Sequence, residues 1–424
     1  MRIAFHAPLK PPDHPVPSGD RLMARLLMQA MRLAGHTVFL ASRFRGYAAS
    51  PQDFPARRAE GGGEVERLMA EWRAAEQPDL FFCYHTYYKA PDYLGPPLAV
   101  AFGIPYVTAE ASYTRSRDAG PWAEAQAVVR HGLEQAALNL CFTERDREGL
   151  VGVVGAERLA MLPPFIDTSL FVAETLRTSS NIGDEFTPTR PFGTPSPQGG
   201  GGRQSSMASL DITVARSPSP LWGRGPEGTG GGLSQEQEKR LPGGVVPRLV
   251  TVAMMRPGDK LDSYRMLAAA LALCVDLPWT LAVVGDGPCV EEVRSLFAAF
   301  EPGRIEWLGE QKPEAVPAIL ASGDVYVWPG FGEAFGLAYL EAQAAGLPVA
   351  AMAIAGVPEV VRDGETGLLT PPDAGAYAGA IRRLLADAGL RRSIGAAAGR
   401  FVLEERSLEK AAATLKSLLA RFEP

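Results

Sequence analysis

The stretch Gly323 to Ala351, GDVYVWPGFGEAFGLAYLEAQAAGLPVAA, constrains this chain more than any other. It opens on DVYVW, an apolar run of strand length and β-rich composition. A glycine-rich turn, Pro329-Gly330-Phe331-Gly332, leads to Glu333 and then Phe335-Gly336. An alanine- and leucine-rich run follows, reads as a helix, and stops at Gly346-Leu347-Pro348. The apolar run VAAMAI starts at once. Strand, tight loop, helix and strand in that order predict a parallel α/β sheet. In such sheets ligands sit at the carboxyl ends of the strands, against helix N-termini. Glu333 falls in the loop and Glu341 on the helix. A carboxylate only accepts hydrogen bonds, so it suits the paired hydroxyls of a sugar or a ribose. The backbone N–H groups of the helix start favour an anion between them.

The same residues resemble the signature of the retaining, GT-B-fold glycosyltransferases of family 4, Glu-x-Phe-Gly-x-x-x-x-Glu followed by Gly-x-Pro-Val. Glu333, Phe335, Gly336, Glu341, Gly346, Pro348 and Val349 fill it. The resemblance implies that Glu333 binds hydroxyls of the transferred sugar and Glu341 the nucleotide's ribose, with Phe335, Gly336 and Leu337 lining the donor. An amphipathic helix with two solvated glutamates is the bland alternative, but the loop, the spacing and the following strand agree with the first reading.

The chain has 424 residues, room for two or three domains. Its formal charge of −6 contains no block of one sign, which argues against a nucleic-acid partner. Cys83, Cys141, Cys274 and Cys289 are scattered and form no CxxC, so no zinc site is expected and a reducing cytoplasm suits the chain. No signal peptide is read in MRIAFHAP. The longest apolar region, Met266 to Val284, is broken by Asp276 and Pro278 and reads as helix, turn and strand. Peripheral contact with the inner face of a membrane stays open, as does the oligomeric state.

Toward the N-terminus, Arg2 to Ala7 reads as a buried strand, Ser18 and Asp20 as caps of a helix from Arg21, and TVFLAS as the next strand. This is a Rossmann-like start without the dinucleotide fingerprint. The resemblance implies a glycine near the donor phosphates here, and only Gly19 can serve. Further strands are predicted within Asp79–Tyr88, Ile104–Ala111 and Leu138–Glu144, with helices over Glu64–Ala75 and Trp122–Ala137. Members of the resembled family often carry a catalytic or acceptor-side histidine after the strand matching Ile104–Ala111. This chain has Glu110 there instead. Glu110 is the candidate for that role; His85, His131 and Lys89 are others, each also readable as structural.

MLPPFIDTSLF, Met161 to Phe171, resembles the family's exit from the first domain. From Ala173 to Val246, Gly, Pro, Ser, Gln and Arg dominate, and Phe186, Phe192 and Trp222 are the only aromatics. Such a composition does not offset its ordering entropy, so residues 173–246 read as a disordered interdomain insertion. PSPQGGGGR and SPSPLWGRG pair Pro/Ser-rich with Gly/Arg-rich text, as a translated inverted repeat would. Residues 247–407 form the expected second domain. RLVTVAMM is its first strand, and Arg256 and Lys260 follow. The resemblance gives these two the donor diphosphate, whose charge grows as the glycosidic bond breaks. A helix is read over Tyr264–Cys274, a strand in WTLAVVGDGP, a helix over Val290–Phe300 and a strand in RIEWLGE. The tail from Ala374 to Phe422 reads as helical, with the last helix, about residues 408–424, crossing back to domain 1–172.

Asp-x-Asp, GxxxxGK[ST] and GxSxG are absent from the sequence, and the glycines of GFGEAFG are wrongly spaced for a dinucleotide site. The expectation is therefore an α/β protein of GT-B architecture, two Rossmann-like doubly wound domains facing a cleft. Its expected activity is retaining, metal-independent hexosyl transfer from a nucleoside-diphosphate sugar, serving polysaccharide or related biosynthesis, with no cofactor beyond that donor. A catalytically silent sugar-nucleotide binder, and a GT-B epimerase or sucrose-synthase-like enzyme, are the alternatives. Donor base, sugar and acceptor are left open.

Overall fold

The computed structural model describes residues 1–16, 18–180 and 246–423, with backbone alone for 175–180. It contains two six-stranded sheets, each wholly parallel and each flanked by helices. The first holds β1 (Arg2–His6), β2 (Thr37–Leu40), β3 (Leu80–Tyr84), β4 (Tyr106–Ala109), β5 (Leu138–Cys141) and β6 (Leu159–Met161), in the order β2-β1-β3-β4-β5-β6. The second holds β7 (Arg248–Val252), β8 (Thr280–Val284), β9 (Ile305–Gly309), β10 (Val325–Val327), β11 (Val349–Met352) and β12 (Gly367–Thr370), in the order β12-β11-β10-β7-β8-β9. Strands covered on both faces need continuous apolar runs. LFFCY of β3, VYV of β10 and VAAM of β11 are buried along their whole lengths.

In each sheet the winding reverses once. The crevice lies between β1 and β3 in the first and between β7 and β10 in the second. Loops leaving the carboxyl ends of those strands are where such sheets bind ligands.

The helices are α1 (Gly19–Leu33), α2 (Phe54–Ala74), α3 (Gly95–Phe102), α4 (Ala123–Gln135), α5 (Glu144–Val154) and α6 (Ser169–Ser180) in the first unit, and α7 (Asp259–Ala272), α8 (Val290–Leu296), α9 (Val316–Ala321), α10 (Leu337–Ala344), α11 (Ala374–Ala386), α12 (Ala388–Glu405) and α13 (Leu408–Leu419) in the second. The expected α2 began at Glu64, yet it starts ten residues earlier and runs through Gly61-Gly62-Gly63. Gly61 is there for packing: a Cβ would come within 2.7 Å of the Tyr93 side chain. The rest of the helix is held by buried Val65, Leu68 and Trp72. Helix α6 carries regular structure eight residues past 172, into the stretch read as an insertion, and it packs against α9. Residues 181–245, and with them most of that reading, lie outside the described residues.

Helix α13 does cross back. Ser407 caps it through Lys410 N–H, and buried Leu408, Ala411, Ala412, Leu415 and Leu419 form one apolar face. That face packs on α1. Nearby, Ile166 N–H donates to the Arg406 carbonyl at 2.9 Å. Among the described residues no helix is long and apolar enough to cross a membrane.

Candidate active site

The donor-side residues gather at the reversal between β7 and β10. Arg256 follows the end of β7, and Lys260 is the second residue of α7, not a loop residue. The expected helix start at Tyr264 was five residues late because Gly258, at φ +80°, turns the chain directly into the helix. Trp328 follows β10, and Glu333 sits in the loop before α10. One oxygen of Glu333, Oε1, accepts both from Lys260 Nζ and from Trp328 Nε1, the latter at 2.9 Å. The Lys260 ammonium also lies 5.4 Å from the Trp328 ring centre. Lysine, glutamate and indole thus fix one another, and the glutamate is 14% exposed.

Backbone contacts clamp this loop. The Gly356 N–H donates to the Glu333 carbonyl at 3.1 Å. A Cβ on Gly356 would lie 1.4 Å from the Ala334 carbonyl oxygen. Gly356→Ala is therefore expected to push residues 333–335 aside, destabilise the protein by about 1–3 kcal/mol and raise the donor KM. A melting temperature and donor KM equal to the parent's would contradict this clamp.

Phe335 is buried, Gly336 at φ +78° opens α10, and Leu337 is its first residue. Glu341 is the fifth. Its carboxylate is half-buried and makes no hydrogen bond or ion pair among the described residues. Burial alone pushes its pKa up to about 7. Both Glu333 and Glu341 bear on the buried Tyr326 hydroxyl of β10, which places them around the end of one strand.

Beside these groups is a cavity of about 200 Å³ lined by Met255, Gly285, Asp286, Arg294, Trp307 and Gly309 among others. Gly285 and Gly287 are glycines for packing: a Cβ would lie 1.9 Å from the Ala253 carbonyl in one case and 2.4 Å from the Met255 carbonyl in the other. A larger cavity, about 480 Å³, opens by Leu40, Ser42 and Arg67 at the β2 edge of the first sheet. Neither cavity is lined by a candidate residue; the smaller one borders the site through Met255, next to Arg256, and through Gly285 at the end of β8.

Facing the donor side, the first sheet contributes Asp20, His85 and Glu110. His85 Nδ1 lies 3.1 Å from Asp20 Oδ1 and 3.9 Å from Glu110 Oε1. His85 and Glu110 end β3 and β4 in left-handed backbone, φ +59° and +52°, which non-glycine residues rarely adopt. Each is held there by extending the ladder: His85 N–H donates to Ala109 O and Glu110 N–H to Leu140 O, both at 2.9 Å. Burial opposes a charged His85, but the Glu110 and Asp20 carboxylates outweigh it and raise its pKa to about 9. Burial raises Glu110 to about 7 despite the neighbouring His85. Glu110 Oε2 is buried without a hydrogen-bond partner among the described residues.

Of the acceptor-side candidates, the structure thus brings Glu110 and His85 together. His131 is exposed on α4, and Lys89 stands over Tyr88 and Trp122. Gly19 is the first residue of α1, and a Cβ there would touch nothing among the described residues. The sequence reading missed Lys10, a lysine in a proline-rich loop with no motif around it. Burial lowers its pKa; Asp20 opposes the shift, while Arg256, Arg45 and Arg21 reinforce it. Lys10 and Arg256 come from different sheets, so the two units close on one another here. Phe142 and Phe335 meet across the same junction at 5.9 Å, and Glu144 N–H donates to Glu359 Oε1 at 3.1 Å. Among the described residues, no three His, Cys, Asp or Glu side chains gather as a metal ion would need.

Residues 246–387 match the family described as Glycosyl transferases group 1. A sulfoquinovosyl transferase of Arabidopsis thaliana is 32% identical over 169 residues, 39% of this chain and 32% of that protein. A D-inositol 3-phosphate glycosyltransferase of Corynebacterium diphtheriae is 39% identical over 110 residues, 26% of this chain and 25% of that protein. The chain spans a third or less of the length of these two relatives. Among solved structures, a sucrose-phosphate synthase of Thermosynechococcus elongatus superposes with a TM-score of 0.67 at 19% identity, over 99% of both chains. The HepE protein of Anabaena, solved with UDP and glucose, superposes at 0.62 and 16% identity, again over 99% of both. The fold is GT-B.

Proposed function

We propose that this chain, whose residues 246–387 form a glycosyltransferase group 1 domain within a GT-B fold, transfers a sugar from a nucleoside-diphosphate sugar to a hydroxyl acceptor, with retention and without a metal. The observation that carries the reading is the Lys260–Glu333–Trp328 arrangement at the β7/β10 crevice, with the unpaired Glu341 carboxylate beyond it on α10.

Each residue has a physical task. Arg256 and Lys260 stabilise the diphosphate as it leaves with growing negative charge, and the start of α10 adds its N–H groups. Glu333 accepts from hydroxyls of the transferred sugar while Lys260 holds it in place. Glu341 takes the paired hydroxyls of the ribose. Gly19 leaves room for the phosphates at the start of α1, and Lys10 adds a cation from the first unit. The acceptor hydroxyl approaches from the side of His85 and Glu110 and attacks on the face the diphosphate leaves. The four cysteines are buried and unpaired, which suits a reducing compartment, the cytoplasm.

UDP-glucose is the first donor to test, because the Anabaena neighbour was solved with UDP and glucose. A thermal-shift panel of UDP-, GDP- and ADP-sugars should single out one base. A ligand at 100 times its Kd adds about 2.7 kcal/mol of stability. The stabilising sugar nucleotide should release its nucleoside diphosphate slowly in water and faster with acceptor, and EDTA should leave that rate unchanged. A strict divalent-metal requirement would overturn the metal-free mechanism. Binding with no release at all would mark a silent binder.

A further inference from the structure

Around the His85–Glu110 floor, the loops after β2, β3 and β4 raise three cations, each set against an aromatic ring. The Arg45 guanidinium lies 5.6 Å from the Tyr47 ring centre, Arg117 lies 4.0 Å over Tyr88, and Lys89 lies 5.9 Å from both Tyr88 and Trp122. None of the three forms an ion pair with a carboxylate among the described residues. Elsewhere on this unit Arg43, Arg57, Arg58, Arg67, Arg130 and Arg147 each pair with an Asp or Glu, while others such as Arg25 and Arg73 form no ion pair among the described residues; what sets the three apart is the aromatic ring beside each.

Aromatic faces hold a cation in place without neutralising it. Lys89 and Arg117 share the Tyr88 ring, and the loops that carry Arg45 and Lys89 are tied through backbone. The Arg45 Nε donates to Leu9 O at 3.0 Å, Ala48 N–H donates to Lys89 O at 2.8 Å, and Tyr87 sits among them, 5.4 Å from both His85 and Tyr88. The Tyr87 hydroxyl feels Tyr47, Tyr88 and Arg45. Below this rim is Glu110, 7% exposed, with Oε2 buried and unpartnered. A carboxylate in that state calls for a hydroxyl donor.

We infer that the acceptor is a polyhydroxylated ring, a sugar or cyclitol, bearing a phosphate or carboxylate. Its hydroxyls meet the Glu110–His85 floor, and its anionic group is held by Lys89 and Arg117 over Tyr88, with Arg45 beside Tyr47 as the third cation of the rim. This deepens the transferase reading and rests on it. An anion on a free small molecule and one on a lipid headgroup present the same chemistry to the rim.

The test pairs a neutral ring with its charged counterpart: glucose with glucose 6-phosphate, and inositol with inositol phosphate. Each is titrated by calorimetry in the presence of UDP and assayed with UDP-glucose. Vesicles of phosphatidylinositol in phosphatidylcholine form the lipid arm. At least one charged member should bind tenfold or more tighter than its neutral partner. The K89Q/R117Q double variant should cut that preference below threefold and raise the KM for the charged acceptor more than the KM for the donor. Binding in the soluble arm alone assigns a free acceptor, and in the vesicle arm alone a headgroup; either supports the inference. Equal binding of charged and neutral rings, or a preference that survives K89Q/R117Q, overturns it while donor binding and UDP release leave the transferase reading standing. No binding of any sugar nucleotide would remove that reading first, and the inference with it.

Discussion

Lys260→Ala should lower kcat by about 100-fold or more, the loss seen when one preorganised donor to a developing anion is removed, about 2.7–4 kcal/mol. Two effects add at this position. The ammonium opposite the leaving diphosphate is gone, and Glu333 loses one of the two donors that fix it, keeping the Trp328 indole alone. The donor's Kd should change much less than kcat, because the charge to be stabilised grows in the transition state. Glu333→Gln should also reduce turnover more than affinity for the free nucleoside diphosphate. Since the two side chains act as one unit, the double variant should lose far less than the product of the two single losses. Single-turnover rates of the two single variants and the double give the answer. A Lys260→Ala enzyme within threefold of the parent, or fully multiplicative losses, would remove Lys260 from the machinery and leave the pair as a structural tie.

The proposed donor half was legible as a cluster in the sequence because its parts are local. Glu333, Phe335, Gly336 and Glu341 lie in one loop and helix, and the spacing of the carboxylates follows from that geometry. Arg256 and Lys260 lie within five positions of each other beyond β7. The strands were legible for a related reason, since parallel strands buried on both faces leave unbroken apolar runs such as VYV and VAAM. The acceptor half was not. Asp20 lies in the first turn of α1, and His85 and Glu110 follow β3 and β4; only the order β1-β3-β4 in the sheet makes them neighbours. Sequence offered Glu110 as a departure from a pattern and His85 as one histidine among several. No spacing rule could pair them. Lys10 is a still harder case, since Arg256, a cation that bears on it electrostatically, belongs to the other unit. The helix errors have local causes: α2 tolerates three glycines because Tyr93 fills the space over Gly61, and α7 starts early because Gly258, at φ +80°, turns the chain into it.

The pH dependence of nucleotide binding should trace to Glu341. Burial holds its pKa at about 7, and no cation or hydrogen-bond donor among the described residues offsets that cost. Ribose hydroxyls donate to the charged form, so binding favours ionisation and draws the pKa down. Affinity for the nucleoside diphosphate should therefore rise with pH by up to about tenfold per unit below pH 7 and level off above it, with a proton released on binding near pH 6. Glu341→Gln should weaken binding at pH 8 by about 1.5–3 kcal/mol, roughly 10- to 150-fold, and should flatten the profile. Stability of the ligand-free protein should move the other way. A carboxylate whose folded pKa lies above its unfolded value, about 4.3, destabilises the fold increasingly as pH rises from that value through 7. Glu341→Gln removes the cost, so the variant should melt above the parent at pH 8 and level with it near pH 4. Calorimetry in two buffers of different ionisation enthalpy counts the proton, and melting curves across the same range give the stability. A role confined to packing predicts the opposite: a variant less stable at every pH, with nucleotide affinity unchanged. That result would take Glu341 out of the donor site.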